Sequence, residues 1–462
     1  MEGGVVPHSK QQIIDFYIIF YNIDRRNMRS GQTTKFEFLD IFTVLMIVSP
    51  IHGMFYPLES YLAAGTHGDE APLPIPVNPI SLILISLYVG VLGVTLLRQK
   101  KWINVYAMYI FIAAAAMTYF WSPDPGTTAI RVARLSLLVV LSVVITQHYT
   151  FRKILILMSI GFLLSGSISI AVSIAFPDLG LSRLGGGYED AWRGATVHKN
   201  SGGLSFSISI IIAYYTYRLR CIPFWLFAAS AGSCGIMLVM GNSATAIIAL
   251  VVVVAVGMML GVLRRFALSA RMPIALMLGS VALLLGGSLW WNAEVILQLS
   301  GRDMTFTGRS DIWAAVFMAI SEHPLRGYGY AFWGIDSPDR QLIWAYVGDT
   351  AAHSHNSWLD AWLQTGIFGM LAIIFITAST FLRAFWFCVQ SNDESSMILS
   401  AIITFLLVRS FFEVQFTDPA PTGLFWLIWV STTLRNSQTR VPLLAANKLA
   451  NAPSPNRFGN AA

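Results

Sequence analysis

Stretches of about 20 predominantly apolar residues recur along this chain, and no other feature restricts its fold as tightly. Inside hydrocarbon every backbone N–H and C=O must be satisfied within the protein, so such stretches have to be helices. Used as a ruler, the rule gives about twelve spans, near 37–57, 79–97, 103–120, 129–147, 154–176, 200–217, 222–240, 244–262, 272–291, 357–382, 397–414 and 421–434. Composition agrees: 12% of residues are charged, against about 25% in soluble domains, and the mean hydropathy is +0.62. The expected fold is an all-α polytopic integral membrane protein.

Basic residues orient these spans. Lys and Arg fall on alternate connections, in the first 36 residues, "RQKK" (98–101), "RK" (152–153), "RLR" (218–220), "RRFALSAR" (264–271), Arg383 and the tail, so that 20 of the 30 lie on one side. Both termini are therefore expected in the cytoplasm. Residues 1–36 form a cytoplasmic segment without a convincing cleavable signal, 37–434 a membrane domain, and 435–462 a cytoplasmic tail with little hydrophobic periodicity, expected to be disordered. The longest outer connection, 292–356, is too long to be idle in a helical bundle and is expected to carry short helices over the site of any chemistry.

Several function classes are disfavoured. The net charge of +6 is distributed in short clusters between apolar runs, as topology demands, so nucleic-acid binding is not expected. Cys221, Cys234 and Cys388 have no CxxC spacing, and no G-x-S-x-G is present. An HxH pair, His353 and His355, could be combined with His323 into a three-histidine zinc site, but no HExxH accompanies it. No Asp-x-Asp is found in the outer connections to carry Mg²⁺. Neither a metal nor another cofactor is expected.

The outer connection and the span after it carry "DMTFTGRSDIWAAVFMAISEHPLRGYGY" (303–330) and "HSHNSWLDAWLQTGIFGM" (353–370). With "WRGATVHKNSGG" (192–203) and "GNSATAIIAL" (241–250) upstream, this pattern resembles the O-antigen ligase and polymerase superfamily, most closely the exopolysaccharide polymerases of the Wzy/ExoQ type. The resemblance is strong over about 300–415 and softer upstream; the N-terminal third matches in hydropathy alone.

It implies a metal-independent glycosyltransferase that joins undecaprenyl-diphosphate-linked oligosaccharide repeat units, donor and acceptor alike, at the periplasmic face of the bacterial inner membrane, with inversion. Chain-length regulator and export proteins of the same pathway are the implied partners, besides the lipid bilayer. A ligase delivering glycan to a lipid A core or similar acceptor is an alternative. A transporter or flippase for the same lipid-linked sugars is another, disfavoured because the ionisable residues cluster outside the spans and no internal repeat is evident.

The residues themselves are compatible with such chemistry. A guanidinium stays charged and forks onto phosphate oxygens, which suits Arg309 and Arg193 to a leaving diphosphate, and the family places functional arginines at both matching positions. Either could instead snorkel to headgroups or pair with Asp311 or Asp190. His355 has an imidazole able to accept a sugar hydroxyl proton near neutral pH, and in the family the histidine of the HN pair is the functional one. Asn356 is expected to cap the following helix and to lie within the substrate site. Lys199, His198 and Arg326 are further candidate contacts to phosphate or sugar. Arg131 and Arg134, three residues apart on one helix face, either meet the lipid diphosphate beside Arg193, or snorkel outward or stabilise neighbouring helices. Glu413 and Asp418 have two readings, sugar positioning or helix packing, and "GNSAT" reads as a turn. The outer aromatics Trp192, Trp313, Tyr328, Tyr330, Phe332, Trp333 and Trp344 read as an interfacial belt or as flat faces for sugar rings.

Overall fold

The computed structural model describes residues 38–47, 86, 90, 106–182, 190–196, 198–291, 309–348, 351, 353–417 and 422–435. The expectations for 1–36, for most of the first two spans, for 292–308, for Asp418 and for the tail beyond 435 lie outside the described residues. Every regular element is helical; one antiparallel bridge, Leu181 with Trp192, is the sole extended pairing among the described residues.

In chain order the elements are α1 (Phe38–Met46), α2 (Tyr106–Met117), α3 (Pro125–His148), α4 (Phe151–Ala175), a short α5 (Pro177–Gly180), α6 (Lys199–Arg218), α7 (Phe224–Met240), α8 (Ala244–Leu263), α9 (Leu268–Trp291), α10 (Arg309–Glu322), α11 (Pro338–Val347), α12 (Ser357–Gln390) and α13 (Glu394–Ser410). A final helix, α14, covers 422–435. Helices α2 to α4, α6 to α9 and α12 to α14 sit where apolar runs were expected. Four of them, α3, α4, α8 and α12, are long and apolar enough to cross a membrane.

Polar residues start several of the helices. Asp124 caps α3, with Pro125 at the first helical position; Thr150 caps α4 and Asp393 caps α13 through side-chain oxygens that accept backbone N–H bonds. At the centre, α6 packs against α4, α7, α8 and α13, and α13 in turn against α8 and α12. Helix α14 is apolar all round, with Leu424 to Val430 wholly buried, as a helix enclosed by others must be. The outward faces of α8 (Ile248, Val251, Val254, Met258) and α12 (Phe368, Leu371, Phe375, Leu382) are instead exposed apolar stripes at helical spacing. Such surfaces belong against lipid rather than water.

The bundle has two chemically distinct ends. At one, Arg264 donates to the Asp393 carbonyl (2.8 Å) and Ser396 (2.6 Å), and Arg271 to Asn392 (2.9 Å), joining the α8–α9 turn to the α12–α13 turn. At the other lie the start of α6, the α7–α8 turn, the segment before α12 and the turn after α13.

Over that second end sit α10 and α11, with their own apolar core of Ile312, Val316, Ile320, Tyr328, Phe332, Trp333 and Ile343 against Leu359 and Leu363 of α12. Most of the outer aromatics thus serve neither as a belt nor as open sugar platforms: Tyr328, Tyr330, Phe332 and Trp333 are buried, and Trp313 and Trp344 donate their indole N–H to the carbonyls of Ser354 (2.9 Å) and Ala351 (2.8 Å).

The loop is stitched to a break in α12. Gly366 has φ +71° and ψ −176°, a conformation open to glycine, and a Cβ there would strike the Leu325 carbonyl. The break frees backbone groups that the loop then satisfies. Tyr328 and Gly329 donate to the carbonyls of Leu363 (2.8 Å) and Gln364 (3.0 Å), and Ile367 donates to Pro324 (3.1 Å). The HPLRGYGY and WLQTGIFG motifs are therefore the two halves of one joint, which meets the requirement that irregular backbone near a membrane be covered by protein.

Candidate active site

Glu413 is the hub of the second end. Helix α13 stops at Ser410, and the N–H groups of Phe412 and Glu413 both return to the Arg409 carbonyl (2.9 Å each), a tight turn that points the Glu413 side chain back into the protein, where it is 1% exposed. Its Oε1 accepts from Arg309 Nη2 (3.0 Å) and from Asn200 Nδ2 (2.8 Å). Its Oε2 lies 3.4 Å from His355 Nδ1, an ion-pair distance without hydrogen-bond geometry. Three separate pieces of chain, α6, α10 and the segment before α12, thus converge on one carboxylate carried by a fourth, the turn after α13.

Each partner is itself fixed. Arg309, the first residue of α10, also donates Nη1 to the Phe412 carbonyl (2.8 Å), so its fork spans two acceptors. Asn200 is oriented by Ser243, whose hydroxyl donates to Oδ1 (3.2 Å), while Arg409 donates to the Asn200 carbonyl (2.7 Å). His355 has φ +52°, the left-handed region that non-glycine residues seldom occupy, and its N–H donates to His353 Nδ1 (3.2 Å). Asn356 then caps α12, its Oδ1 accepting from Trp358 (3.0 Å) and Leu359 (3.1 Å), as the sequence suggests.

Asp360, one turn into α12, ties the same segment down. It is buried and accepts from Trp333 Nε1 (2.7 Å), Ser354 Oγ (3.1 Å), Gln364 Nε2 (2.6 Å) and Thr417 Oγ1.

The electrostatics follow from burial and neighbours. His198, which caps α6 by accepting the Asn200 N–H (3.2 Å), has its pKa pushed down to about 4 by burial; Glu413 opposes this, and His355, Lys199 and Arg193 add to it. Burial likewise holds His353 well below the usual imidazole range, with His355 adding to the effect. For Glu413 burial disfavours the charge, yet His355, Arg409 and His353 outweigh it and hold the carboxyl well below its ordinary range. Among the described residues, the cations Arg193, Lys199, Arg309 and Arg409 lie within electrostatic reach of the His198, His353 and Glu413 cluster. Such a gathering of cations suits a diphosphate.

His353, His355 and Glu413 place one donor atom each within 4.8 Å of one another, a spacing that also invites a metal. The donor set fits a dication poorly: Oε1 is already shared by a guanidinium and an amide, and the Arg309 cation stands 3.0 Å away. His323 belongs elsewhere, packed on Tyr328 (5.1 Å between rings) and contacted by Arg326 (3.1 Å), so the three-histidine site does not form.

Of the residues singled out from sequence, Arg193, His198, Lys199, Arg309, His355 and Asn356 gather at this end. Arg193 also donates Nε to the Leu179 carbonyl (3.1 Å). Arg326 does not join them; it is exposed beyond the far end of α10, about 20 Å along the helix from Arg309. Arg131 lies buried beneath the Phe332–Gly334 turn, its guanidinium filling the space a Cβ on Gly334 would need, and Arg134 is buried on α3. Arg131 thus packs against a neighbouring element, the turn at Gly334. Sequence reasoning missed Asn200 and Arg409 and left Glu413 undecided. The "GNSAT" turn, read as bland, contributes Ser243 to the network.

Residues 226–374 match the O-antigen ligase family, a segment that contains Arg309 and His355 but neither Asn200 nor Glu413. The exopolysaccharide production protein ExoQ of Rhizobium meliloti is 27% identical over 402 residues, 82% of this chain and 89% of that protein. An O-antigen ligase of Pseudomonas aeruginosa is 33% identical over 162 residues, about a third of either chain (35% and 36%). Together with the motifs, these matches make the chain similar to proteins of the O-antigen ligase and polymerase superfamily, ExoQ over most of its length among them.

Proposed function

We propose that this protein polymerises undecaprenyl-diphosphate-linked oligosaccharide repeat units into exopolysaccharide at the periplasmic face of the inner membrane. The observation that carries the reading is the convergence of His355, Arg309 and a gathering of cations on buried Glu413, on a protein similar over most of its length to an exopolysaccharide production protein. In this reading the membrane domain spans 37–434 with both termini cytoplasmic, and the donor enters sideways from the bilayer.

Arg309 and Arg193 hold the diphosphate, with Lys199 beside them. His355 takes the proton from the acceptor sugar hydroxyl at Nε2. The hydroxyl oxygen bonds to the anomeric carbon as the bond from that carbon to the diphosphate oxygen breaks, and the electron pair leaves with the polyprenyl diphosphate. Attack from the face opposite the leaving group inverts the anomeric configuration. Every charge that develops meets a side chain already in place, so no metal is required. Chain-length regulator and export proteins of the same pathway are its expected partners.

Transfer to a different lipid acceptor is the second reading, favoured by the match to the O-antigen ligase family over 226–374. The test is product size from purified protein in lipid supplied with one lipid-linked repeat unit. A ladder growing by whole repeat units, abolished in Arg309→Ala and His355→Ala, is the expected result. Product that forms only on adding a distinct acceptor lipid establishes the ligase, and lipid-linked sugar moved across vesicles without transfer establishes the transporter.

A further inference from the structure

The reaction as written needs His355 in one of its two tautomers, and nothing in the motif resemblance says what selects it. The structure supplies a candidate. His355 Nδ1 is buried, has no hydrogen-bond partner, and faces Glu413 Oε2 at 3.4 Å, while the other oxygen of that carboxylate is held by Arg309 and Asn200. A small rotation closes the gap, as catalytic hydrogen bonds that are long in an empty site tighten around substrate. A carboxylate can only accept, so closing it places the proton on Nδ1 and leaves Nε2 as the basic nitrogen.

The same carboxylate neutralises Arg309. A diphosphate arriving at Arg309 competes with Glu413 for the guanidinium, and each contact it wins releases Oε1 while Oε2 stays with the imidazole.

We propose that Glu413 is a positioning residue for glycan transfer, fixing His355 with Nδ1 protonated and Nε2 open to the acceptor hydroxyl, and holding Arg309 until the donor's diphosphate displaces it. The proposal rests on the glycan-transfer reading above. Asn200 and Ser243 serve it by pinning Oε1, since the Ser243 hydroxyl fixes which end of the Asn200 amide faces the carboxylate.

Glu413→Gln tests it. Glutamine keeps an oxygen for Arg309 and Asn200 but turns an N–H donor toward His355, which forces the opposite tautomer. Expected in the variant are a fall of about 10²–10⁴-fold in kcat, the range of general-base loss, with no rise in donor KM. Glu413→Asp, which keeps the charge one methylene short, is expected to recover part of the rate and guards against a folding defect in the glutamine variant.

Two readouts need no turnover. Histidine ¹⁵N spectra of the wild type, assigned with His355→Asn, should show His355 protonated at Nδ1, and inorganic pyrophosphate should bind Glu413→Gln at least as tightly as wild type and Arg309→Ala more weakly. An Nε2-protonated His355 in the wild type, a kcat within threefold of wild type in Glu413→Gln, or pyrophosphate binding weakened in that variant overturns the proposal. Absence of any transfer by wild type, with tautomer and pyrophosphate binding as expected, overturns the proposed function and leaves the carboxylate–imidazole coupling intact.

Discussion

Replacing Asp360 should undock the outer loop, and the cost can be worked from its partners. Its carboxylate is wholly buried and collects donors from three places: Trp333 Nε1 in the loop, Ser354 Oγ in the histidine segment, and Gln364 Nε2 and Thr417 Oγ1 on the bundle. In Asp360→Ala the two hydroxyls can turn elsewhere, as Ser354 already donates to the Asn356 carbonyl (2.9 Å). Trp333, Gln364 and the Ser354 backbone N–H (3.4 Å) cannot. Their N–H groups stay buried without an acceptor at about 1–3 kcal/mol each, so the variant should lose about 3–9 kcal/mol of docking energy. In Asp360→Asn one oxygen still serves Trp333, but the new amide faces the Gln364 amide, donor to donor. Flipping Gln364 would withdraw the oxygen that accepts the Ala331 N–H (2.8 Å), so the expected cost is a single pair, about 1–3 kcal/mol. Hydrogen exchange across 309–348 in lipid, read with the thermal unfolding midpoint, measures both, and protection should fall in the order wild type, Asn, Ala. Equal protection in all three proteins, or an asparagine variant as damaged as the alanine one, would refute the reasoning.

Gly366→Ala should destabilise the protein by at least about 1–3 kcal/mol, from its φ of +71° alone, before the collision with the Leu325 carbonyl is counted; Gly232→Ala, on α7 with open space around it, should be neutral or stabilising in the same melting experiment. Arg309→Lys should lose about 10²-fold in transfer rate, close to the alanine variant, because a single ammonium cannot reach the Phe412 carbonyl and Glu413 while presenting a fork to phosphate. His198, whose folded pKa of about 4 lies below the unfolded value near 6.5, resists protonation in the native state, so its contribution is complete above pH 6.5 and is lost as pH falls toward 4. The slope amounts to about 3 kcal/mol at most, and His198→Asn, which keeps a capping acceptor at the start of α6, should flatten that part of the stability curve measured by denaturant titration.

What the sequence by itself determined is what depends on one segment at a time. Membrane helices were legible because hydrocarbon forces each span to satisfy its own backbone, so that length and hydropathy suffice to find α3, α4, α8 and α12. The Asn356 cap was legible because a cap is local. Arg309 and His355 were legible through motifs that resemble a family. Only the tertiary structure decided what lies between those motifs. Residue type says nothing of where Glu413 lies; its place at the centre of the cluster comes from α6, α10 and the segment before α12 meeting at the turn after α13. Asn200 and Ser243 look like any polar residues at helix starts until a neighbour 43 positions away orients one by the other. Arg326 shared the chemistry of Arg309 and failed to join the cluster, because 14 helical residues carry it to the opposite end of α10. Only the joint between Gly366 and the Leu325 carbonyl shows why the two loop motifs belong together: a broken helix and a long loop supply each other's missing hydrogen bonds.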